Sequence, residues 1–179
     1  MHRGQGIASS LEAAIAAAAS IAVHLCQRGY AVRLVTATGE EPGSAWHLRE
    51  SDTSAGPLLE ALAVVQPSTR PHLETGWLTE AGHGGLVIAV LGALQADDAP
   101  VLRRMQHTGS ALALALDVEA WGTQLATGSG SPLPLLLAQG WRAVTVRPGD
   151  RLDTVWRDLG HQAPRAAALA APGAGAQPG

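Results

Sequence analysis

The seven histidines of this 179-residue chain are the side chains best suited to metal binding or to proton transfer near neutral pH. They occupy positions 2, 24, 47, 72, 83, 107 and 161, and no two of them are spaced i, i+4. Zinc sites require three or four ligands at definite spacings, and the H-E-x-x-H segment of zinc proteases does not occur. The histidine pattern therefore predicts no zinc site.

Two glycine-rich segments have the composition of functional loops but not their context. Residues 128–131 (GSGS) lack the G-x-S-x-G spacing of a hydrolase nucleophile, and the sequence places no histidine beside Ser129. Residues 82–85 (GHGG) precede a predicted strand rather than a helix, so they lack the helix N-terminus that binds pyrophosphate. We predict no catalytic residue and no cofactor, and hence no enzyme.

Composition argues against several further classes of protein function. All 12 basic side chains are arginine, so neither a P-loop lysine nor a Schiff-base lysine is present. The net charge is −3 and aromatic residues make up 3% of the chain, which argues against nucleic-acid binding. Cys26 is the single cysteine and lies among apolar residues, so we expect it to be buried as a small hydrophobic side chain.

Hydrophobic periodicity predicts an α/β order of elements. Strands are predicted at 30–37, 86–91, 111–116 and 141–146, with a further short strand at 45–49. Helices are predicted at 9–28, 56–65, 97–108, 131–139 and from Asp150 onwards, with a short one at 72–81. Asp97 or Asp98 is the predicted cap of the helix at 97–108, Asp150 caps the last helix, and Gly140 ends the helix at 131–139. Right-handed crossovers make this order a three-layer sandwich with a mostly parallel sheet. The run at 86–91 has the uninterrupted apolar character of a central strand.

The first helix has clear end signals. Ser9 and Glu12 are spaced as a capping box, and Gly29 stands where the helix should end. Its predicted apolar face consists of Leu11, Ala14, Ile15, Ala18, Ile21, Ala22 and Leu25. That apolar face is expected to pack against a β-sheet, and a strand of this sheet is expected to precede the helix in the sequence. The apolar run at 13–23 is too short to span a bilayer, so we predict a core helix.

The composition of the chain predicts its domain organisation. Residues 1–160 are predicted to form one partial α/β domain. Residues 161–179, which are rich in Ala, Pro and Gly, are predicted to form a disordered tail.

The tryptophans have two predicted roles. Trp141 and Trp156 fit core packing, whereas Trp46, Trp77 and Trp121 lie in or near loops. Either core or interface roles are open for those three.

Five segments resemble the domain-of-unknown-function fifty-eight family of bacteria. They are 10–12 (SLE), 17–25 (AAASIAVHL), 29–36 (GYAVRLVT), 84–92 (GGLVIAVLG) and 140–146 (GWRAVTV), within a resemblance that covers Arg3 to Leu159. These are hydrophobic, structural motifs. The resemblance implies a domain similar to the von Willebrand factor A fold, C-terminal to transmembrane helices, in proteins that accompany MoxR-type ATPases on the cytoplasmic side of the membrane.

The resemblance also implies that an N-terminal part is missing from this chain. The absent part would include the first strand, which in von Willebrand-type sheets lies centrally between the strands corresponding to 30–37 and 86–91. The D-x-S-x-S segment that follows that strand holds Mg²⁺ in such domains. Without it, Mg²⁺ is expected only in a complete domain, where Asp117, Thr36 and Thr38 are peripheral candidates for ligands at the sheet rim. Alternatively, Asp117 caps a turn.

Two functions follow as hypotheses. The first is a soluble, non-enzymatic interaction domain of a membrane-associated assembly or envelope protein. Its partner would be a MoxR-type ATPase or the missing N-terminal part. The alternative is a free-standing small-ligand domain or enzyme that uses the carboxyl ends of its strands. Clustering of Asp117 with Thr36, Thr38 or His83 would favour the alternative, whereas an open apolar sheet edge would favour the interaction domain.

Overall fold

The fold is an α/β arrangement around a small parallel sheet. A computed structural model describes residue 2 and residues 9–36, 54–67, 73, 76–79, 85–122 and 131–161. The helices are α1 (Ser10–Gln27), α2 (Gly56–Ala63), α3 (Ala99–His107), α4 (Leu133–Ala138) and α5 (Leu152–His161). The strands are β1 (Gly85–Leu91), β2 (Gly109–Leu116) and β3 (Arg142–Val146). Short 3₁₀ turns lie at Gly76–Thr79, Ala96–Asp98 and Val118–Trp121.

The three strands are parallel and lie in the order β1-β2-β3. Gly85 pairs with Gly109 at one end of the β1–β2 ladder, and Leu91 pairs with Ala115 at the other. The predicted α/β class with a parallel sheet is confirmed. The predicted helices and strands that fall on β1, β2, β3, α2 and α4 are confirmed with shifts of one or two residues at their ends.

Strand β2 distributes large and small side chains to opposite faces. Ala111, Ala113 and Ala115 pack against large side chains on the side of α3 and α4, including Leu102, Met105, Leu136 and Trp141. Leu114 packs instead against Ala17 of α1 and against Val155 and Leu159 of α5. On one face of the sheet, small strand residues thus pack against large helix residues. On the other face, a large strand residue, Leu114, packs against a small residue of α1, Ala17. This size matching lets the sheet and the helices pack closely on both faces.

The end signals of α1 operate largely as predicted. The Ser9 hydroxyl accepts a hydrogen bond from the Glu12 amide at 3.2 Å, which is one half of the predicted capping box. At the other end, Gly29 adopts a φ of 80°. The Tyr30 amide then donates to the Leu25 carbonyl at 3.0 Å, closing a Schellman motif. Gly140 ends α4 in the same way, with a φ of 83°.

The buried face of α1 differs from the predicted one. Its buried residues are Ser10, Ala14, Ala17, Ala22 and Cys26. The larger Leu11, Ile15 and Leu25 are only half-buried. The helix is rotated towards its small side chains because these allow close approach to the leucine face of β2. Among the described residues, α1 is the helix long and apolar enough to span a membrane, with a mean hydropathy of 1.3. A core helix or a signal sequence meets the same criterion, and its packing on the sheet supports the predicted core helix.

Cys26 is buried near the end of α1, with 7% of its surface exposed, beside Ala22 and Leu58. Burial raises the pKa of the Cys26 thiol above its ordinary value. We expect native Cys26 to react with a disulfide reagent at pH 8 at least roughly tenfold more slowly than in denaturant, because reaction requires local opening. Equal rates measured by absorbance with and without denaturant would contradict this packing.

Residues 30–36 depart from the sequence prediction. They belong to no strand in the described part of the chain, although Val32 and Leu34 pack against α1 and α2 at alternate positions. The predicted strand is therefore wrong for these residues, and Ala37 lies outside the described residues. A strand requires a hydrogen-bonded neighbour, and none of the described strands lies beside this segment.

Other predictions lie partly or wholly outside the described residues. The strand at 45–49, Trp46 and the tail beyond 161 fall there, as does most of the helix predicted at 72–81, of which the structure describes a 3₁₀ turn at Gly76–Thr79. Trp77 and Trp121 are half-buried and pack against core clusters, which favours core roles over interface roles. In α5 the predicted apolar face is confirmed by Val155 and Leu159, which are buried.

Candidate functional site

The carboxyl ends of β2 and β3 form the rim where an open parallel sheet usually binds ligands. Asp117 follows β2, and its amide donates to the Val146 carbonyl at 2.9 Å. Its carboxylate accepts a hydrogen bond from Arg147 Nε at 3.2 Å. The Arg147 side chain is 65% exposed and that of Asp117 26%. Surface ion pairs of this kind contribute about 0–1 kcal/mol, and the arginine offsets the charge that would attract a cation.

Asp150 lies in the turn after β3 rather than at a helix cap. Its carboxylate accepts a hydrogen bond from the Arg147 amide at 2.7 Å. Gly149 has a φ of 85°, which lets the chain reverse within this turn. The predicted role of Asp150 as the cap of α5 is therefore wrong. The rim contains two carboxylates, and both accept hydrogen bonds from Arg147, a residue that no sequence motif marked as functional.

The other rim candidates do not complete a metal site. Asp117 is paired with Arg147, Thr36 is half-buried at the end of residues 30–36, and Thr38 and His83 lie outside the described residues. Among the residues the structure describes, no group of three or more His, Cys, Asp or Glu side chains is placed to hold a metal ion. The clustering that would favour a ligand-binding rim is thus not found in this part of the chain.

Asp98 is a buried carboxylate with a structural role. It is 2% exposed and accepts hydrogen bonds from the Gln95 amide at 2.8 Å and the Leu73 amide at 3.3 Å. It makes no side-chain cap bond to α3, although it stands at the N-cap position predicted for it. Instead, Asp98 joins the turn before α3 to the segment at Leu73.

A cavity of about 410 Å³ lies between α1 and the end of α2. Leu11, Ile15 and Leu62 line it together with His2, whose Nδ1 lies 3.2 Å from the Ser10 hydroxyl. Burial, and secondarily the positive charge of the chain's amino terminus, lowers the pKa of His2 below its ordinary value, against an opposing effect of the Ser10 hydrogen bond. Ser9, Glu12 and Gln66 also line this cavity. His2 belongs to no group of three or more His, Cys, Asp or Glu side chains that could hold a metal ion in the described part of the chain.

The outer edge of β1 is the most distinctive surface of the fold. We call it the β1 edge: the side of Gly85–Leu91 that faces away from β2. No described strand pairs with it. The strand carries no charged residue and no proline, the devices that usually protect edges. Leu86 is 51% exposed, and Ile88 is half-buried. The prediction that this run is a central strand is wrong for the described sheet.

Side chains of β1 are covered unequally. Val87, Ala89 and Leu91 pack against the core on the side of α3 and α4. On the opposite face Val90 packs beneath α1, whereas Leu86 remains exposed. The edge therefore combines backbone groups without a strand partner in the described sheet and an incompletely covered apolar face. Both features favour pairing with another strand.

No protein-family model, curated protein or solved structure matches the chain. The family resemblance of the five sequence segments rests on those segments alone.

Proposed function

We propose that this chain is a non-enzymatic protein-interaction domain of a bacterial membrane-associated assembly or envelope protein. The observation that carries this proposal is the β1 edge, which is apolar, uncharged and without a strand partner among the described residues. Long unprotected edges usually pair with another chain or segment. The family resemblance, read as a von Willebrand factor A-like domain, suggests a MoxR-type ATPase as partner.

The features of the rim support this proposal over the small-ligand alternative. A ligand site needs converging polar groups that remain available, and Asp117 is already paired with Arg147. The exposed large hydrophobic side chains of the described residues lie elsewhere, at Leu86 on β1, at Tyr30 just after α1, and at Leu59 and Val64 in and just after α2. Apolar surface available for contact is typical of interaction domains.

Binding of a purified MoxR-type ATPase to the immobilised chain tests the proposal. We expect Leu86→Lys to weaken binding at least about tenfold, or 1.4 kcal/mol, because a charge beside the edge must be desolvated on pairing. Leu86 is already half-exposed, so circular dichroism should report an unchanged fold.

Val64→Lys is the matched control. Val64 is 69% exposed just after α2, so it is an exposed apolar side chain that does not belong to the sheet. Its replacement should leave ATPase binding within about twofold of wild type. Binding that both variants weaken equally, or that neither weakens, would exclude the β1 edge as the interaction surface.

A further inference from the structure

We infer that the cavity between α1 and the end of α2 binds a small amphiphilic amine, a molecule with an apolar body and one ammonium group. This inference goes beyond the proposed interaction function and does not rest on it. The described residues that line the cavity belong to α1, to α2 and to the residues adjoining them, together with His2, and none of them belongs to the β1 edge.

Both helices contribute apolar side chains to the cavity. Leu11 and Ile15 lie about one turn apart on α1 and so share a face of that helix. Leu62 of α2 and Val65 just after it add apolar surface from the second helix. The volume of about 410 Å³ lies near the lower end of the range for small-molecule pockets, roughly 300–1,000 Å³. The apolar body of a small ligand can therefore contact both helices.

The carboxylate of Glu12 supplies the charge of this lining. Glu12 is exposed and lies in the first turn of α1, and no arginine is among the described residues that line the cavity. In the part of the chain that the structure describes, its side chain forms no ion pair and does not complete the capping box with Ser9. A carboxylate that remains available beside apolar surface attracts a cation and repels an anion.

Two neutral polar side chains accompany this carboxylate. The His2 ring is placed by its contact with the hydroxyl of Ser10, which is fully buried. Because burial lowers the pKa of His2, the ring is neutral at about pH 7.5 and does not repel an ammonium group. The exposed amide of Gln66 offers a carbonyl oxygen that can accept a hydrogen bond from it.

Two positive charges act against a cation, and their size decides the sign of the preference. The N-terminus of α1 carries the equivalent of about half a positive charge, whereas Glu12 in the same turn carries a full negative one. The amino terminus of the chain is near enough to lower the pKa of His2. Acetylation of that amino terminus should therefore strengthen the binding of an amine.

Titration with three probes of equal chain length tests the inference. The probes are hexylammonium, hexanol and hexanoate, added to the full chain at about pH 7.5 and 0.15 M salt, and binding is followed by the NMR signals of the His2 ring. We expect hexylammonium to bind with a dissociation constant of about 1 mM, a value reasonable for so small a ligand. It should bind at least about threefold more tightly than either other probe, as an exposed charge pair allows.

Glu12→Gln removes the charge but keeps a side chain that suits the first turn of a helix. It should weaken hexylammonium binding at least about threefold and leave hexanol binding unchanged. Glu60→Gln is the matched control, because Glu60 is an exposed residue of α2 that is not among the lining residues. Its effect should stay within about 1.5-fold, since salt screens exposed charges that are not in contact.

Ala63→Leu tests the position of the apolar body. Ala63 is an exposed lining residue at the end of α2, so a larger side chain there takes up cavity space without disturbing the core. Binding of hexylammonium and hexanol should both weaken. Circular dichroism should show that all three variants keep the fold.

Several results would overturn the inference. Tighter binding of hexanoate would mean that the helix N-terminus and the amino terminus outweigh Glu12. Equal losses in Glu12→Gln and Glu60→Gln would show a general charge effect rather than a site. Binding that Ala63→Leu does not change, or that leaves the His2 signals unmoved, would place the amine outside the cavity. None of these results bears on the β1 edge, so the proposed interaction function is tested separately.

Discussion

Replacing Gly109 with alanine should destabilise the protein by about 3 kcal/mol, the upper part of the range for overpacking a core. Gly109 opens the central strand β2 and pairs with Gly85 of β1. A Cβ atom at this position would overlap the Gly85 carbonyl oxygen and lie 2.9 Å from its carbonyl carbon. Because the obstacle is backbone, relief requires that the strands move apart.

Gly85 provides a matched control within the same residue pair. A Cβ atom at Gly85 meets nothing within 4 Å. Gly85→Ala should therefore leave stability unchanged or raise it by up to about 1 kcal/mol, as expected when a strand glycine gains a side chain. Thermal unfolding followed by circular dichroism should show a Tm fall of roughly 10 °C for Gly109→Ala alone. Equal shifts in the two variants would contradict the strand register.

Local signals in the sequence predicted the features that depend on a few neighbouring residues. Gly29 and Gly140 were predicted to end their helices, and both do so with left-handed backbone geometry. The serine cap of α1 is equally local, since the hydrogen bond spans three residues. At a helix end few local backbone conformations are available, and the residue type largely determines which of them forms.

Features that depend on distant partners were not predicted. The run at 86–91 has the composition of a central strand, yet its position in the sheet depends on which segments lie on either side. Residues 30–36 have a strand-like pattern, but a strand needs a neighbour to accept its hydrogen bonds. Both errors have the same physical origin, because the pairing of a strand depends on segments that are distant in the sequence.

In the candidate site, too, features set by neighbouring residues were predicted and features set by distant residues were not. The position of Asp117 at the end of β2 followed from the apolar run before it, and the structure confirms that position. Its pairing with Arg147, 30 residues away, depends on the β2–β3 register. Asp150 had the local pattern of a helix cap, but the turn made possible by Gly149 gives its carboxylate a closer donor in the Arg147 amide. The tertiary geometry of this turn, rather than the local sequence pattern, therefore determines the hydrogen bond that Asp150 makes.

Trp141 should be the side chain whose truncation costs the most among the four tryptophans that the structure describes. It is 3% exposed, and its indole Nε1 donates to the Leu102 carbonyl of α3 at 3.0 Å. It follows Gly140 directly, so the helix end of α4 places the ring between α3 and the alanine face of β2. We expect Trp141→Ala to lower the free energy of unfolding by about 3–5 kcal/mol.

Two further variants separate the contributions of the ring. Trp141→Phe keeps most of the packing but leaves the Leu102 carbonyl without the indole donor, so a loss of about 1–2 kcal/mol is expected. Trp156→Ala removes a half-buried ring from the opposite face and should cost less than Trp141→Ala. Urea unfolding is best followed by circular dichroism, because the substitutions remove fluorophores. A cost for Trp156→Ala that equals or exceeds that of Trp141→Ala would mean that the α1–α5 layer, which borders the β1 edge, is the better-packed half of the core.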